Sequence, residues 1–369
     1  MLAVLLTATT LSCHAPLPHG PRVPAPIVLS TSCGRFVLAT DGGLSRLRDR
    51  AHSSRRVVNW RNWGMPLIVR RNRAGRFFVF QHRRLVWRSR DLYPNDGSSI
   101  AFGPHSFAFA SYRRGVFLTN LDGPERLVLR GRSLFPYDFD SAGRLLVGAG
   151  RTIAVISPGG ATIRRYPYRL RNGFAFDERS DTLFFVTPRG ELASARGTTV
   201  HLARHLRDVE GTISIDQSDL LIFAGGTGIT VTRRDGAVLA RTNWAHSRRV
   251  ASDSGVSVSR DRKAFAFRLT DAHPGSRLSQ ATVYVLRAGA RKAQTLYHHR
   301  LGPSGCGVGA NLNWHGRFLL YSSTDGRNVV LDTADGRAVD LTRLARVLPH
   351  RSEGKTARVL WRSDFESEY

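Results

Sequence analysis

Lysine is nearly missing from this sequence. Of its 55 basic residues only Lys263, Lys292 and Lys355 are lysines, which leaves 52 arginines. A GC-rich genome imposes such a skew, so it is not by itself a functional signal. Acidic residues are also scarce, 28 against 55, and the formal net charge is +27. The excess is scattered in Arg-Arg pairs (55–56, 70–71, 83–84, 113–114, 164–165, 233–234, 248–249) rather than gathered in blocks. Blocks of like charge and basic helices, the usual marks of a dedicated nucleic-acid site, are missing, so nucleic acid is not the expected partner. A dispersed positive field still attracts polyanions in general. Long apolar runs are missing too. No stretch approaches the ~18 residues that a membrane helix needs, so no transmembrane span is expected. The three cysteines, Cys13, Cys33 and Cys306, match no zinc or redox spacing. Gly-x-Ser-x-Gly, His-Glu-x-x-His and a phosphate-binding lysine loop do not occur, so no catalytic, cofactor-binding or metal-binding residue is assigned and no cofactor is expected.

What is present begins at the N-terminus. "MLAVLLTATTLSC", residues 1–13, is a short apolar run ending in a small residue and cysteine, like the core of a secretory signal. A lipoprotein signal would place a lipid on Cys13, although no basic residue precedes the run and Thr10-Leu11-Ser12 departs from the usual pattern. Residues 14–26, "HAPLPHGPRVPAP", read as a proline-rich tether. The expected location is extracytoplasmic, secreted or lipid-anchored at the cell envelope. The other reading is a cytoplasmic N-terminus with all cysteines reduced.

Residues 27–369 repeat one phrase, a polar turn followed by an apolar strand. It occurs as "CGRFVLAT" near 33, "AGRFFVFQ" near 74, "PHSFAFAS" near 104 and "AGRLLVGA" near 142. It returns as "SDTLFFVT" near 180, "SDLLIFAG" near 218, "DRKAFAFR" near 261 and "HGRFLLYS" near 315. With the second residue of each as marker, the intervals are 41, 30, 38, 38, 38, 43 and 54 residues. A short apolar segment precedes each marker strand, for example "FAFD" at 174. A third strand such as "TIAVIS" at 152 and a weaker fourth such as "TIRRY" at 162 follow. Helical spacing is confined to "TVHLARHLRD" at 199 and "DLTRLARVL" at 340, each enough for a turn or two. Four strands every ~40 residues mark a propeller blade, whose two faces must be covered by neighbouring blades. The expected fold is therefore all-β, a single β-propeller domain of seven or eight four-stranded antiparallel blades. The second unit is short, and "ARVLWRSDF" at 357 reads as one more strand able to pair into the first blade.

"FDSAGRLLVG", "FDERSDTLFFV", "IDQSDLLIFA", "VSRDRKAFAF" and "LNWHGRFLLY" resemble the repeated phrase of TolB-like propellers, WD-like units of exported bacterial proteins. The resemblance covers roughly residues 27–345 and implies architecture, not activity. It raises one specific alternative, a propeller joined to a serine-hydrolase domain, for which the residues after the last unit are too few.

Arg35, Arg76, Arg144, Lys263 and Arg317 all follow the marker position. In a propeller they would lie in the turns between first and second strands, as a partial basic collar able to dock an anionic polymer or an acidic partner. The plainer reading is that a turn beside a buried strand favours a solvated charge. His201 and His205 have the spacing of two metal ligands on a helix face but lack a third ligand. His298-His299 would point opposite ways in a strand. "GGTG" at 225 and "GCGVG" at 305 lead into strands rather than helices, unlike phosphate loops. Cys33 and Cys306 fall in the first and last units but toward opposite faces, out of easy disulfide reach. The expected function is a non-enzymatic, monomeric binding or scaffolding module recognising an envelope protein or an anionic surface polymer. The alternative is a glycan hydrolase or lyase with its site at the mouth of the central channel.

Overall fold

The structure, a computed structural model, describes residues 13, 16–47, 67–71, 77–81, 84–88, 100–103, 106–111, 114–120, 124–207, 209, 211–216, 219–244, 248–250, 255–271, 280–301, 310–323, 325–349 and 357–363. The chain divides into two compact units. One is Met1–His52 with Asp216–Thr232 and Val238–Tyr369; the other is Ser53–Ile215 with Arg233–Ala237.

The strands form eight antiparallel sheets among the described residues, so the count is eight, not seven. In chain order the first sheet takes β1 (Ile27–Thr31), β2 (Gly34–Leu38) and β3 (Leu44–Leu47). The second has three strands, β4 (Leu67–Arg71), β5 (Phe77–Gln81) and β6 (Arg84–Arg88), as its short interval suggests. The third has β7 (Ile100–Phe102), β8 (Ser106–Ser111), β9 (Gly115–Asn120) and β10 (Arg126–Arg130). The fourth has β11 (Leu134–Phe139), β12 (Leu145–Ala149), β13 (Thr152–Ile156) and β14 (Thr162–Pro167). The fifth has β15 (Phe174–Asp177), β16 (Thr182–Val186), β17 (Glu191–Arg196) and β18 (Thr199–His205). β19 (Thr212–Ile215) ends this unit's strands.

In the other unit follow β20 (Leu221–Ala224), β21 (Gly228–Thr232) and β22 (Val238–Asn243). The next sheet divides its first position between β23 (Arg248–Val250) and β24 (Val256–Val258). Both pair with the eight-residue β25 (Ala264–Asp271), ahead of β26 (Gln280–Arg287) and β27 (Gln294–Arg300). Then come β28 (Ala310–His315), β29 (Phe318–Ser323), β30 (Asn328–Asp332) and β31 (Ala338–Asp340). Helix α1 (Thr342–Val347) follows. Leu341, Leu344, Ala345 and Leu348 recur at 0, 3, 4 and 7 and place one apolar face against the first sheet. β32 (Arg358–Trp361) pairs with β1 and takes the first position of the first sheet, as its apolar run predicted.

Second and third strands carry continuous apolar runs because both of their faces are covered. β12, β13, β21 and β30 are buried along nearly their whole lengths. Fourth strands alternate poorly and stay exposed; β18 is exposed at six of its seven positions. Each side chain fully buried this way contributes roughly 2 kcal/mol. The repeated four-stranded antiparallel sheet, entered in sequence order, is the blade of a β-propeller, and this is the fold class.

The marker residue has a single backbone cause. Gly143, Asp181, Asp219, Arg262 and Gly316 all lie at φ between 51° and 72° in the turn between first and second strands. Glycine and aspartate reach this left-handed region at least cost, which is why the phrase centres on them.

Residues 16–26 are not a free tether. Gly20 N donates to Gly42 O at 2.8 Å and Val23 N to Thr40 O at 3.1 Å, while Val23 and Ala25 are buried against the first sheet. Cys13 is joined to Cys33 by a disulfide, and the Arg46 guanidinium donates to the Cys13 carbonyl. The Cys33–Cys306 bond weighed above therefore does not form here; Cys306 itself lies outside the described residues. The residues before Cys13 also lie outside them.

Candidate functional site

Arg144, Lys263 and Arg317 occupy first-to-second turns as expected, and Arg76 lies outside the described residues. Arg35 does not. Because β32 takes the first position of its sheet, β1 is second and β2 third, so Arg35 opens a third strand at the opposite end of the sheet from a first-to-second turn. The sequence pattern hid this because the strand that shifts the phase comes from the other end of the chain.

These turns engage their charges locally. In one unit Arg144 Nε pairs with Asp140 Oδ2 at 2.6 Å, and the other Asp140 oxygen accepts the backbone N–H groups of Ala142 and Arg144. In the other unit Arg317 Nη2 lies 2.8 Å from Asp332 Oδ2, and its guanidinium sits 5.1 Å over the Phe318 ring while its side chain stays 64% exposed. Lys263 is exposed, and its N–H donates to Asp261. The same use of aspartate recurs. Asp41, Asp235, Asp335 and Asp340 each accept the N–H of the residue two positions on. These carboxylates close turns, and Asp335 and Asp340 also pair with Arg337 and Arg327.

Asp177 is likewise buried, at 6% exposure. Burial raises its pKa, but Ser180, the Arg179 N–H and the Arg234 guanidinium all donate to it, and the net result is a carboxyl held below its ordinary value. Arg234 also donates to Ser180 Oγ at 3.1 Å and covers Phe184 at 5.5 Å, so one cation pins its hairpin turn to the β15–β16 turn.

A second cluster was not visible in the sequence. Arg268 on β25, His299 on β27 and Tyr321 on β29 are all buried and converge between two sheets. His299 Nε2 lies 2.9 Å from the Tyr321 hydroxyl and Nδ1 lies 3.0 Å from Arg300 O. The consistent assignment has Nδ1–H donating to the carbonyl and Nε2 accepting from the phenol. Burial pushes the His299 pKa below 6.5 despite the Arg300 carbonyl and the Asp325 carboxylate 3.9 Å away, so the ring is neutral at pH 7. Burial likewise raises Tyr321 above the usual phenol value, against the hydrogen bond from Arg268. With Tyr321 fully buried, this network joins sheets rather than meeting a ligand. The signal available was an arginine interrupting the alternation of "AFAFRLTD".

Two indole pins act in the same unit. Trp361 Nε1 on β32 donates to Asn313 O at 2.9 Å, and Trp314 Nε1 on β28 donates to Ser257 O at 3.1 Å. His201 and His205 lie on strand β18, not on a helix, so the helical metal-ligand spacing does not apply. His298 is exposed and His299 buried on β27, as the alternation predicts. The glycines at 225–228 join β20 to β21, and those at 305–309 lie outside the described residues.

No family model and no curated protein matches the chain. Solved structures similar to it include BamB from Moraxella catarrhalis, at 14% identity and a TM-score of 0.36, covering 71% of this chain and 92% of that one. The WD40 domain of SCAP from fission yeast is similar at 11% identity and a TM-score of 0.39, covering 80% and 87%. The computationally designed Ika8 protein is similar at 15% identity and a TM-score of 0.43, covering 80% and 93%. With these scores the fold rests on the chain's own strand order, which is that of a β-propeller.

Proposed function

We propose that this chain is a non-enzymatic binding propeller that works outside the cytoplasm at the cell envelope and recognises an anionic surface polymer or a protein. The observation that carries the reading is the division of labour among charges. Among the described residues the turn aspartates are engaged by N–H groups and by neighbouring arginines, while further arginines such as Arg130, Arg164, Arg165 and Arg204 are exposed, in a chain of net charge +27. Such a surface attracts polyanions and repels other cations. Location outside the cytoplasm is supported by the Cys13–Cys33 bond, since disulfides persist in oxidising compartments, and by the apolar run before Cys13. A sulfur held in a disulfide carries no thioether, so this bond and lipidation of Cys13 are alternative fates of one atom.

The test is retention on an immobilised polyanion, heparin, across a salt series. Binding that weakens steadily with salt supports the reading. Elution at the lowest salt, with no polyanion retained, refutes it for polymers and leaves the protein partner.

A further inference from the structure

We infer that the anionic polymer is a polysaccharide carrying carboxylate, sulfate or phosphate groups, and that it binds across the outer strands β10, β14 and β18. This rests on the binding reading above but moves the site away from the first-to-second turns.

The three strands are neighbours within one unit. The β13–β14 turn abuts β10, because the Arg126 guanidinium donates to Pro158 O and Gly159 O at 3.1 Å. β14 abuts the β17–β18 turn, because the Tyr166 hydroxyl donates to Gly197 O at 2.5 Å. Across them, "RLVLR", "TIRRYP" and "TVHLARH" contain no acidic residue. Arg130, Arg164, Arg165 and Arg204 are exposed. The carboxylates nearest in sequence register are occupied: Glu125 accepts from Trp87 Nε1 at 3.1 Å and Glu191 engages the Thr187 hydroxyl at 3.4 Å.

Two features choose the polymer. Arginine presents a planar fork of donors that matches carboxylate, sulfate and phosphate oxygens in pairs, which a scattered lysine charge does not. On the same strands as these arginines lie exposed aliphatic side chains, Ile163 on β14 at 41% and Leu202 on β18 at 57% exposure. These suit the carbon faces of sugar rings. Single-stranded nucleic acid, by contrast, is held by aromatic side chains on which bases stack, and neither residue offers that.

The experiment compares two triple variants that remove equal charge. One is Arg164→Ser, Arg165→Ser and Arg204→Ser on the outer strands. The other is Arg260→Ser, Arg291→Ser and Lys292→Ser, all exposed in the other unit and none of them a collar residue. Heparin, alginate and single-stranded DNA of matched charge are the probes, with far-ultraviolet circular dichroism confirming that both variants fold. The outer-strand variant is expected to lose about tenfold or more in glycan affinity at 0.15 M salt and to show a shallower salt slope, with the other variant within twofold of wild type. Arg164→Lys, Arg165→Lys and Arg204→Lys should fall between, since charge remains but the fork is lost. Equal losses in both triples overturn the inference while sparing the binding reading. Tighter binding of DNA than of either glycan overturns the choice of polymer. If the wild type holds none of the three probes, the polymer reading itself falls.

Discussion

Replacing Gly316 by alanine isolates a single backbone term. Gly316 has φ +57°, and a Cβ built there meets nothing within 4 Å, so the substitution adds no clash. Only conformation is at stake. An L-residue in the left-handed region costs roughly 1–2 kcal/mol. Alanine's stiffer unfolded chain returns about 0.4–1 kcal/mol. The net expectation is a loss of about 1 kcal/mol. Asparagine, which tolerates this region, should cost less, and valine, which is β-branched, should cost more. Arg262→Gly is the reverse experiment at φ +60°, and a gain of about 0.5–1 kcal/mol is expected from the same opposing terms. The assay is chemical denaturation of all four variants at a shared slope. If alanine and valine match wild type at position 316, the marker residue is not set by φ, and the explanation of the repeated phrase is wrong.

Stability should depend on His299 in mildly acid solution. The unfolded imidazole takes up a proton near pH 6.5, the folded one only at lower pH. Between those values the unfolded chain holds more protons, so the contribution is complete above pH 6.5 and is lost as pH falls below it. His299→Asn should flatten this part of the pH profile; an unchanged slope would contradict the buried neutral ring. Arg234→Ala should destabilise by about 2 kcal/mol, the scale of hydrogen bonds to a charged group, because it strips donors from the nearly buried Asp177. The loss should shrink when pH is lowered far enough to protonate that carboxyl, whose folded pKa is depressed. A pH-independent loss would point to the Phe184 contact instead.

Much of the fold was legible because its causes are local. The marker turn requires a left-handed residue, and Gly143, Asp181, Asp219 and Gly316 display that requirement in their letters. Second and third strands display burial as unbroken apolar runs. What was hidden depends on partners distant in sequence. β32 shifts the phase of the first sheet from about 330 residues away, which misplaced Arg35. Residues 16–26 looked like a tether because of their prolines, yet the alternation of Val23, Ala25 and Ile27 already continues the buried face of β1. Cys13 was read for its signal-like context, which says nothing of the approach of Cys33. The Arg268–His299–Tyr321 network joins residues from three strands, and no spacing along one strand encodes it.

The proposed location requires the N-terminal segment to be fastened outside the cytoplasm. Closing the 20-residue separation between Cys13 and Cys33 contributes about 3 kcal/mol by loop entropy, so reduction or Cys33→Ser should lower the unfolding midpoint. The direct measurement is intact and peptide mass spectrometry of the native protein under non-reducing conditions. A cleaved chain with a Cys13–Cys33 cross-linked peptide is the expected result. An intact Met1 with free thiols would contradict it; a lipid on Cys13 would keep the location and overturn the disulfide.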